Sequence, residues 1–114
     1  MIPSSTRIFV CTERQDMRRS FDALAAVVQQ QLGEDPQSGA MFVFANRRAN
    51  RLKVLWFDRN GYCILYKRLH RALFELPDSS DKQHKVKIEL RALGQILLGV
   101  ERRSGSSKPV RSDA

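Results

Sequence analysis

The sequence contains few of the residues from which metal sites and nucleophilic active sites are built. Its 114 residues include two cysteines and two histidines. Cys11 and Cys63 lie far apart and form no CxxC pair, and His70 and His84 stand at no convincing helical spacing from another ligand residue. The HExxH, GxxxxGK and GxGxxG patterns that bind zinc, nucleotide phosphates and dinucleotides are also absent. We therefore predict no catalytic residue, metal, cofactor or small-molecule substrate, and interpret the chain as a protein other than an enzyme.

Long apolar runs and export signals are missing too. A membrane-spanning helix needs roughly 18 or more apolar residues in succession, and no stretch approaches that length. The N-terminal residues MIPSSTRIFV lack the pattern of a signal peptide. The two cysteines are typical of small buried side chains in a reducing compartment. These features predict a cytoplasmic protein without a membrane partner.

Negative charge is scarce relative to positive charge. Twelve Asp and Glu residues stand against 20 Lys and Arg residues, which gives a formal net charge of +8. Fourteen of the cations are arginine, whose planar guanidinium matches phosphate oxygens and base edges better than the lysine ammonium does. Such an excess indicates an anionic partner. Nucleic acid is the first candidate, followed by an acidic protein and an anionic membrane surface.

The alternation of apolar and polar residues predicts several strands with two helices among them. An apolar stripe predicts a first helix from about Ser20 to Leu32, and a second is predicted from near Glu89 to Gly99 after an extended start. Strands are predicted at Arg7–Cys11, Ala40–Asn46, 51–58, 62–69 and, as a fifth, 72–77.

These elements predict an α+β fold. We expect an antiparallel β-meander of about four to five strands, with one helix packed on one face and a short C-terminal helix. A single domain is predicted over residues 1–100, and residues 101–114 are predicted to be a disordered polar and basic tail.

The strands at 51–58 and 62–69 are predicted to form a hairpin that turns at Asn60-Gly61, because both central residues of a type I′ turn need φ > 0. In that register Lys53 faces Arg68. Side chains alternate between faces, so one face collects apolar residues that include Leu52 and Val54. We predict that the first helix covers that face.

Six cations are predicted to converge at the end of the hairpin away from its turn, and we predict them as nucleic-acid-binding residues: Arg47, Arg48, Arg51, Lys53, Arg68 and Arg71. Like charges opposite one another on a sheet are destabilising by a few tenths of a kcal/mol, so their accumulation favours an anionic ligand. A second interpretation is that they are solvated edge residues that prevent aggregation. The nearby rings of Phe57, Tyr62 and Tyr66 would either stack on bases or belong to the core.

An ordered string of motifs resembles one family. It comprises D-M-R at Asp16–Arg18, F-D-x-L at Phe21–Leu24, D-P-x-S-G at Asp35–Gly39, F-V-F at Phe42–Phe44, the basic pair Arg47-Arg48, K-x-L-x-x-D-x-x-G at Lys53–Gly61 and Y-K-R-L at Tyr66–Leu69. Over roughly residues 1 to 100 the chain resembles the small accessory protein, often called TnpB, of insertion sequence 66 elements. The chain departs from the family pattern at Glu89, where Thr is usual at the start of the last helix.

The resemblance implies a role in transposition beside a separately encoded transposase, which carries the acidic catalytic residues. Two hypotheses for the molecular role are compatible with it. In the first, the basic end of the sheet binds DNA. In the second, the chain is a protein-interaction module that docks onto the transposase or onto a sister accessory protein, and an apolar patch beside the cations would favour this second role.

Overall fold

The computed structural model describes residues 2–78 and 84–101. Within these ranges the elements are β1 (Ile8–Cys11), α1 (Phe21–Gln30), β2 (Met41–Ala45), β3 (Arg51–Asp58), β4 (Gly61–Arg68), β5 (Ala72–Leu73), β6 (Lys85–Ile88), α2 (Leu90–Leu98) and β7 (Val100–Glu101). The tail predicted for residues 101–114 lies outside the described residues from position 102 onwards.

Five strands form the main sheet, in the order β4-β3-β2-β1-β6. The α+β class is confirmed, but the sheet is mixed, because β1 pairs with β2 in parallel and Ile8 lies opposite Met41. The predicted purely antiparallel meander is therefore wrong for the β1–β2 pair. α1 joins the two parallel strands, and its 10 residues span about 15 Å. That length carries the chain back to the edge of the sheet at which β1 began, which parallel pairing requires.

Two hydrophobic cores lie on opposite faces of the sheet. The core under α1 contains the buried side chains Phe9, Leu24, Val28, Phe42, Phe44 and Leu55. The core under α2 contains Ile8, Val10, Val43, Leu52, Val54, Leu93 and Ile96. β2 takes part in both cores and is buried along its whole length, which explains its unbroken apolar sequence MFVFA.

The prediction that the first helix covers the face of Leu52 and Val54 is wrong, because these side chains pack with α2. Both faces of the inner strands are apolar, so alternation groups residues by face without assigning a helix to either face. Lys67 lies on the α2 face, and its Nζ donates to the carbonyl of Leu97 at 2.7 Å. The ammonium thus satisfies a carbonyl in the last turn of α2, where positive charge is favourable.

The β3–β4 hairpin turns one residue earlier than predicted. Arg59-Asn60 is the two-residue loop, in place of Asn60-Gly61, and Arg59 adopts a φ of 58°. The register consequently differs by two residues, so that Arg51 rather than Lys53 faces Arg68. A shift of two residues keeps every side chain on its own face. The apolar pattern therefore fits both registers equally well.

The C-terminal part of the described chain follows the predicted change from strand to helix. β6 ends at Ile88, Glu89 precedes α2 without a side-chain capping hydrogen bond, and the helix ends before Gly99. The fifth strand is shorter than predicted: β5 pairs with β7 in a separate two-stranded sheet. Neither of the two described helices has the length and apolar character needed to cross a membrane.

Candidate nucleic-acid interface

Two loops meet at one edge of the sheet because β1 and β2 run in parallel. The carboxyl ends of neighbouring parallel strands lie side by side, so the segment after β1 and the segment after β2 share that edge. A backbone hydrogen bond joins them, since the Gln15 N–H donates to the carbonyl of Ala45 at 2.9 Å. Gln15 is itself buried, and its Nε2 donates to the carbonyl of Glu13. Strand pairing thus sets the relative position of the two loops.

A cavity of about 580 Å³ lies between these loops, and we call it the arginine groove. Its lining includes Arg14, Asp16, Arg18, Asn46, Arg47, Arg48, Arg51 and Tyr66. Five arginines and one carboxylate give the lining a formal charge of +4. A concave surface with a single sign of charge concentrates its electrostatic field and attracts anions. The groove therefore suits an anionic ligand.

The loop between β2 and β3, with the sequence NRRAN, is braced by its own side chains. Asn46 Oδ1 accepts hydrogen bonds from the backbone N–H groups of Asn50 and Arg51 at 3.1 and 3.0 Å. Asn46 Nδ2 donates to Asn50 Oδ1 at 2.8 Å. The bracing leaves Arg47 and Arg48 exposed at the tip of a loop with a defined backbone.

The outer strands β3 and β4 contribute the part of the groove that belongs to the sheet. Arg51 Nη1 donates to the hydroxyl of Tyr66 at 2.9 Å, and both side chains line the groove. Arg68 lies directly opposite Arg51 and is exposed. Of the six predicted cations, the structure thus brings Arg47, Arg48 and Arg51 together in the groove, with Arg68 beside them on the neighbouring strand.

Lys53 is buried, whereas a residue that contacts phosphate must be exposed. It is only 7% exposed, and its Nζ donates to the carbonyl of Arg19 at 2.6 Å. The ammonium also lies 4.8 Å from the centroid of the Tyr66 ring. A contact with phosphate would require the bond to Arg19 to break. Lys53 therefore holds the segment before α1 against the sheet.

The remaining predicted residues do not line the groove. Arg71 is exposed in the segment between β4 and β5. That segment is tied to the NRRAN loop by a hydrogen bond from the Leu69 N–H to the carbonyl of Asn50 at 2.8 Å. Phe57 and Tyr62 contact each other edge-on at 5.2 Å, beside the β3–β4 turn and thus at the opposite end of the hairpin. Tyr66 is the ring of the three that lies in the groove.

Two groove arginines, Arg14 and Arg18, are absent from the predicted set. Both come from the segment after β1, which reaches this edge only because β1 and β2 are parallel. The signal that would have revealed them is the ten-residue helix between two short strands, since a helical crossover joins parallel strands.

Among the described residues, Arg18 is the arginine of the groove that pairs with a carboxylate. Its Nη2 lies 2.6 Å from Asp16 Oδ2, and the pair is well exposed to solvent. Hydrogen bonds from the Arg18 side chain and backbone lower the pKa of Asp16 to about 2. Asp16 is therefore ionised at ordinary pH and offsets part of the charge of Arg18. Arg14, Arg47, Arg48 and Arg51 form no ion pair with a described residue.

The described residues do not gather three His, Cys, Asp or Glu side chains in a way that would hold a metal ion. Cys11 and Cys63 are free thiols, and burial raises the pKa of Cys11. A raised pKa leaves less thiolate and makes this cysteine less reactive.

The fold and the groove define a small α+β protein with an exposed, arginine-rich cavity at one edge of a mixed sheet. The sequence model of the family described as "IS66 Orf2 like protein" matches residues 6–106. The chain belongs to this family, which confirms the resemblance seen in the sequence, and it is an accessory protein of an insertion sequence.

Two relatives come from Sinorhizobium fredii (strain NBRC 101917 / NGR234). "Uncharacterized protein y4hO" is 37% identical over 103 residues, which cover 89% of this chain and 88% of the relative. "Uncharacterized protein y4jC" is 36% identical over 75 residues, covering 66% of this chain and 64% of the relative. No solved structure matches the chain.

Proposed function

We propose that this chain supports transposition as a non-catalytic accessory protein and that it does so by binding DNA in the arginine groove. The supporting observation is the convergence of five arginines, from two loops far apart in sequence and the first residue of β3, on one cavity with a single carboxylate. Phosphates of the DNA backbone are the anions that such a cluster fits best, because each guanidinium can donate two parallel hydrogen bonds to phosphate oxygens.

The bracing of the NRRAN loop also favours binding. Arg47 and Arg48 extend from a backbone that is already ordered by Asn46. Binding then costs less conformational entropy, because the loop does not have to be ordered by the ligand. A solvated edge cluster that only prevents aggregation would not need this bracing.

The set of contact residues differs from the set expected from the sequence. Arg14, Arg47, Arg48 and Arg51 are the principal phosphate contacts, and Arg18 contributes less because it is paired with Asp16. Exposed Arg68 and Arg71 extend the basic surface beyond the groove. Lys53 is left out, because its ammonium is buried and already donates to a carbonyl.

Binding should weaken steeply as salt concentration rises. With about four phosphates neutralised, the logarithm of the association constant should fall against the logarithm of salt concentration with a slope of roughly −3 to −4. That slope corresponds to an affinity loss on the order of 100-fold between 50 and 200 mM salt. Fluorescence anisotropy with a labelled DNA fragment, titrated at several salt concentrations, measures the slope. A slope shallower than about −1 would contradict binding through the groove.

Binding should also be nearly independent of pH. No histidine is among the described residues that line the groove, and Asp16, with its pKa lowered to about 2, stays ionised. Only as the pH falls through about 2 would Asp16 become neutral and the groove gain positive charge. We expect affinity to change less than about 2-fold between pH 5.5 and 8 at constant ionic strength. A change of about 10-fold in this range would contradict binding governed by the groove arginines and Asp16.

Protein docking is the second candidate, and a separate observation favours it. Apolar side chains are exposed on the α2 side of the molecule: Leu65 at 41%, Leu98 at 75% and Val100 at 51%. These side chains do not line the arginine groove, so they are distinct from the apolar patch beside the cations that would favour docking. Co-purification with the transposase or a sister accessory protein, after nuclease treatment and in high salt, would support docking. Loss of the partner under those conditions would leave DNA binding as the better account.

A further inference from the structure

Tyr66 occupies an unusual position for an aromatic residue at the edge of a core. It lines the arginine groove, and 48% of it is exposed. Its hydroxyl accepts a hydrogen bond from Arg51, and the Lys53 ammonium lies 4.8 Å from its ring centroid. The ring is therefore held in place by two cations while much of it stays open to the groove.

We infer that Tyr66 is a stacking platform for an unpaired base, and that the ligand of the arginine groove is single-stranded DNA. This inference rests on the proposed function, because the groove arginines would take the phosphates of the same strand. Aromatic rings beside a cationic groove are the means by which proteins bind single strands without reading their sequence, since every base has a π-face.

Duplex DNA fits this arrangement less well. Within a duplex both faces of each base are covered by neighbouring bases, so a base becomes available for stacking only in a single strand or after it is flipped out. The groove volume of about 580 Å³ lies within the range of pockets that enclose small molecules, about 300–1,000 Å³. A few nucleotides of one strand match that volume, whereas a double helix would contact only the rim of the groove.

The other rings of the hairpin make a useful contrast. Phe57 and Tyr62 contact each other edge-on, and Tyr62 packs against the core under α1. Each of them already has an aromatic partner. Tyr66 has no aromatic partner among the described residues: its hydroxyl accepts from Arg51, and the buried Lys53 ammonium lies 4.8 Å from its ring centroid. The exposed part of the ring is therefore free to stack on a base of the ligand.

The first test uses the wild-type protein with two probes of equal length and equal charge: an oligothymidine strand and a strand made only of abasic sites. Stacking on one base is worth enough to make the thymidine strand bind at least about 5-fold more tightly at the same salt concentration. The salt slopes of the two probes should agree, because both carry the same phosphates.

The second test assigns this preference to Tyr66. A Tyr66→Leu variant should lose most of the preference for thymidine and keep the salt slope, because the arginines that contact the phosphates remain. A Tyr66→Phe variant keeps the ring, loses the hydrogen bond from Arg51, and should keep the preference. A thermal unfolding curve of each variant checks that it is folded.

The outcomes separate this inference from the proposed function. Equal affinity of the wild type for the two strands, or an unchanged preference in Tyr66→Leu, would overturn the platform while steep salt dependence still supported DNA binding in the groove. Absence of salt-dependent binding to any of the probes would overturn both.

Discussion

Replacing Arg47 and Arg48 together with alanine should weaken DNA binding by about 10- to 100-fold and make the salt slope shallower by about 2. Both side chains line the groove at the exposed tip of the braced loop, and neither is paired with a carboxylate among the described residues. Each should release roughly one counterion when it contacts a phosphate. Anisotropy titrations of the variant and the wild type over the same salt series measure both quantities.

A matched control removes two charges elsewhere. Arg59 lies in the β3–β4 turn and Arg91 on α2, and both are exposed and absent from the lining of the groove. The double variant Arg59→Asn with Arg91→Ala lowers the net charge equally, and asparagine tolerates the positive φ at position 59. Its affinity and slope should stay close to those of the wild type. Equal losses in the two double variants would show that total charge, rather than the groove, governs binding.

Replacing Asn46 with alanine should both destabilise the protein and weaken DNA binding. The variant loses the acceptor for the N–H groups of Asn50 and Arg51 and the donor to Asn50 Oδ1. Leaving such partly buried groups unsatisfied should lower the free energy of unfolding by about 1–3 kcal/mol. Affinity for DNA should fall by about 3- to 10-fold, because the loop must then be ordered on binding. Denaturant unfolding and anisotropy measure the two effects.

An Asn46→Asp variant separates bracing from charge. The carboxylate can still accept from both backbone N–H groups, and the Asn50 amide can flip to donate its Nδ2 to the carboxylate, so stability should stay within about 1 kcal/mol of the wild type. The same change lowers the formal charge of the groove lining, so DNA affinity should fall although the loop is intact. If Asn46→Ala leaves stability and affinity unchanged, the loop does not depend on this side chain.

The extent to which the fold could be predicted depends on how local each signal is. The strand-to-helix change at Glu89 and the end of α2 before Gly99 are local, and the sequence shows both. The parallel pairing of β1 with β2 is not local, because it depends on the path of the chain through α1. The assignment of α1 and α2 to their faces is equally non-local. Apolar alternation says which residues share a face and nothing about what covers that face.

The candidate site also combines residues that local signals predict with residues that only the non-local chain path brings together. Arg47 and Arg48 were predictable, because an NRRAN linker between two strands exposes its central residues. Arg14 and Arg18 join them only through the parallel pairing, which local apolar alternation does not reveal. Lys53 departs from the prediction for another reason. Its long stem lets the ammonium of a buried residue reach the backbone carbonyl of Arg19, which strand periodicity does not reveal.

The β3–β4 turn is a suitable site for attaching a label to the protein. β3 starts at the edge that carries the groove and runs eight residues to Asp58, so the turn lies about 25 Å from Arg51. A fluorophore or an affinity tag attached at exposed Asn60 would report on the protein without blocking the loops. Molecules immobilised through that residue would present the cavity toward the solution.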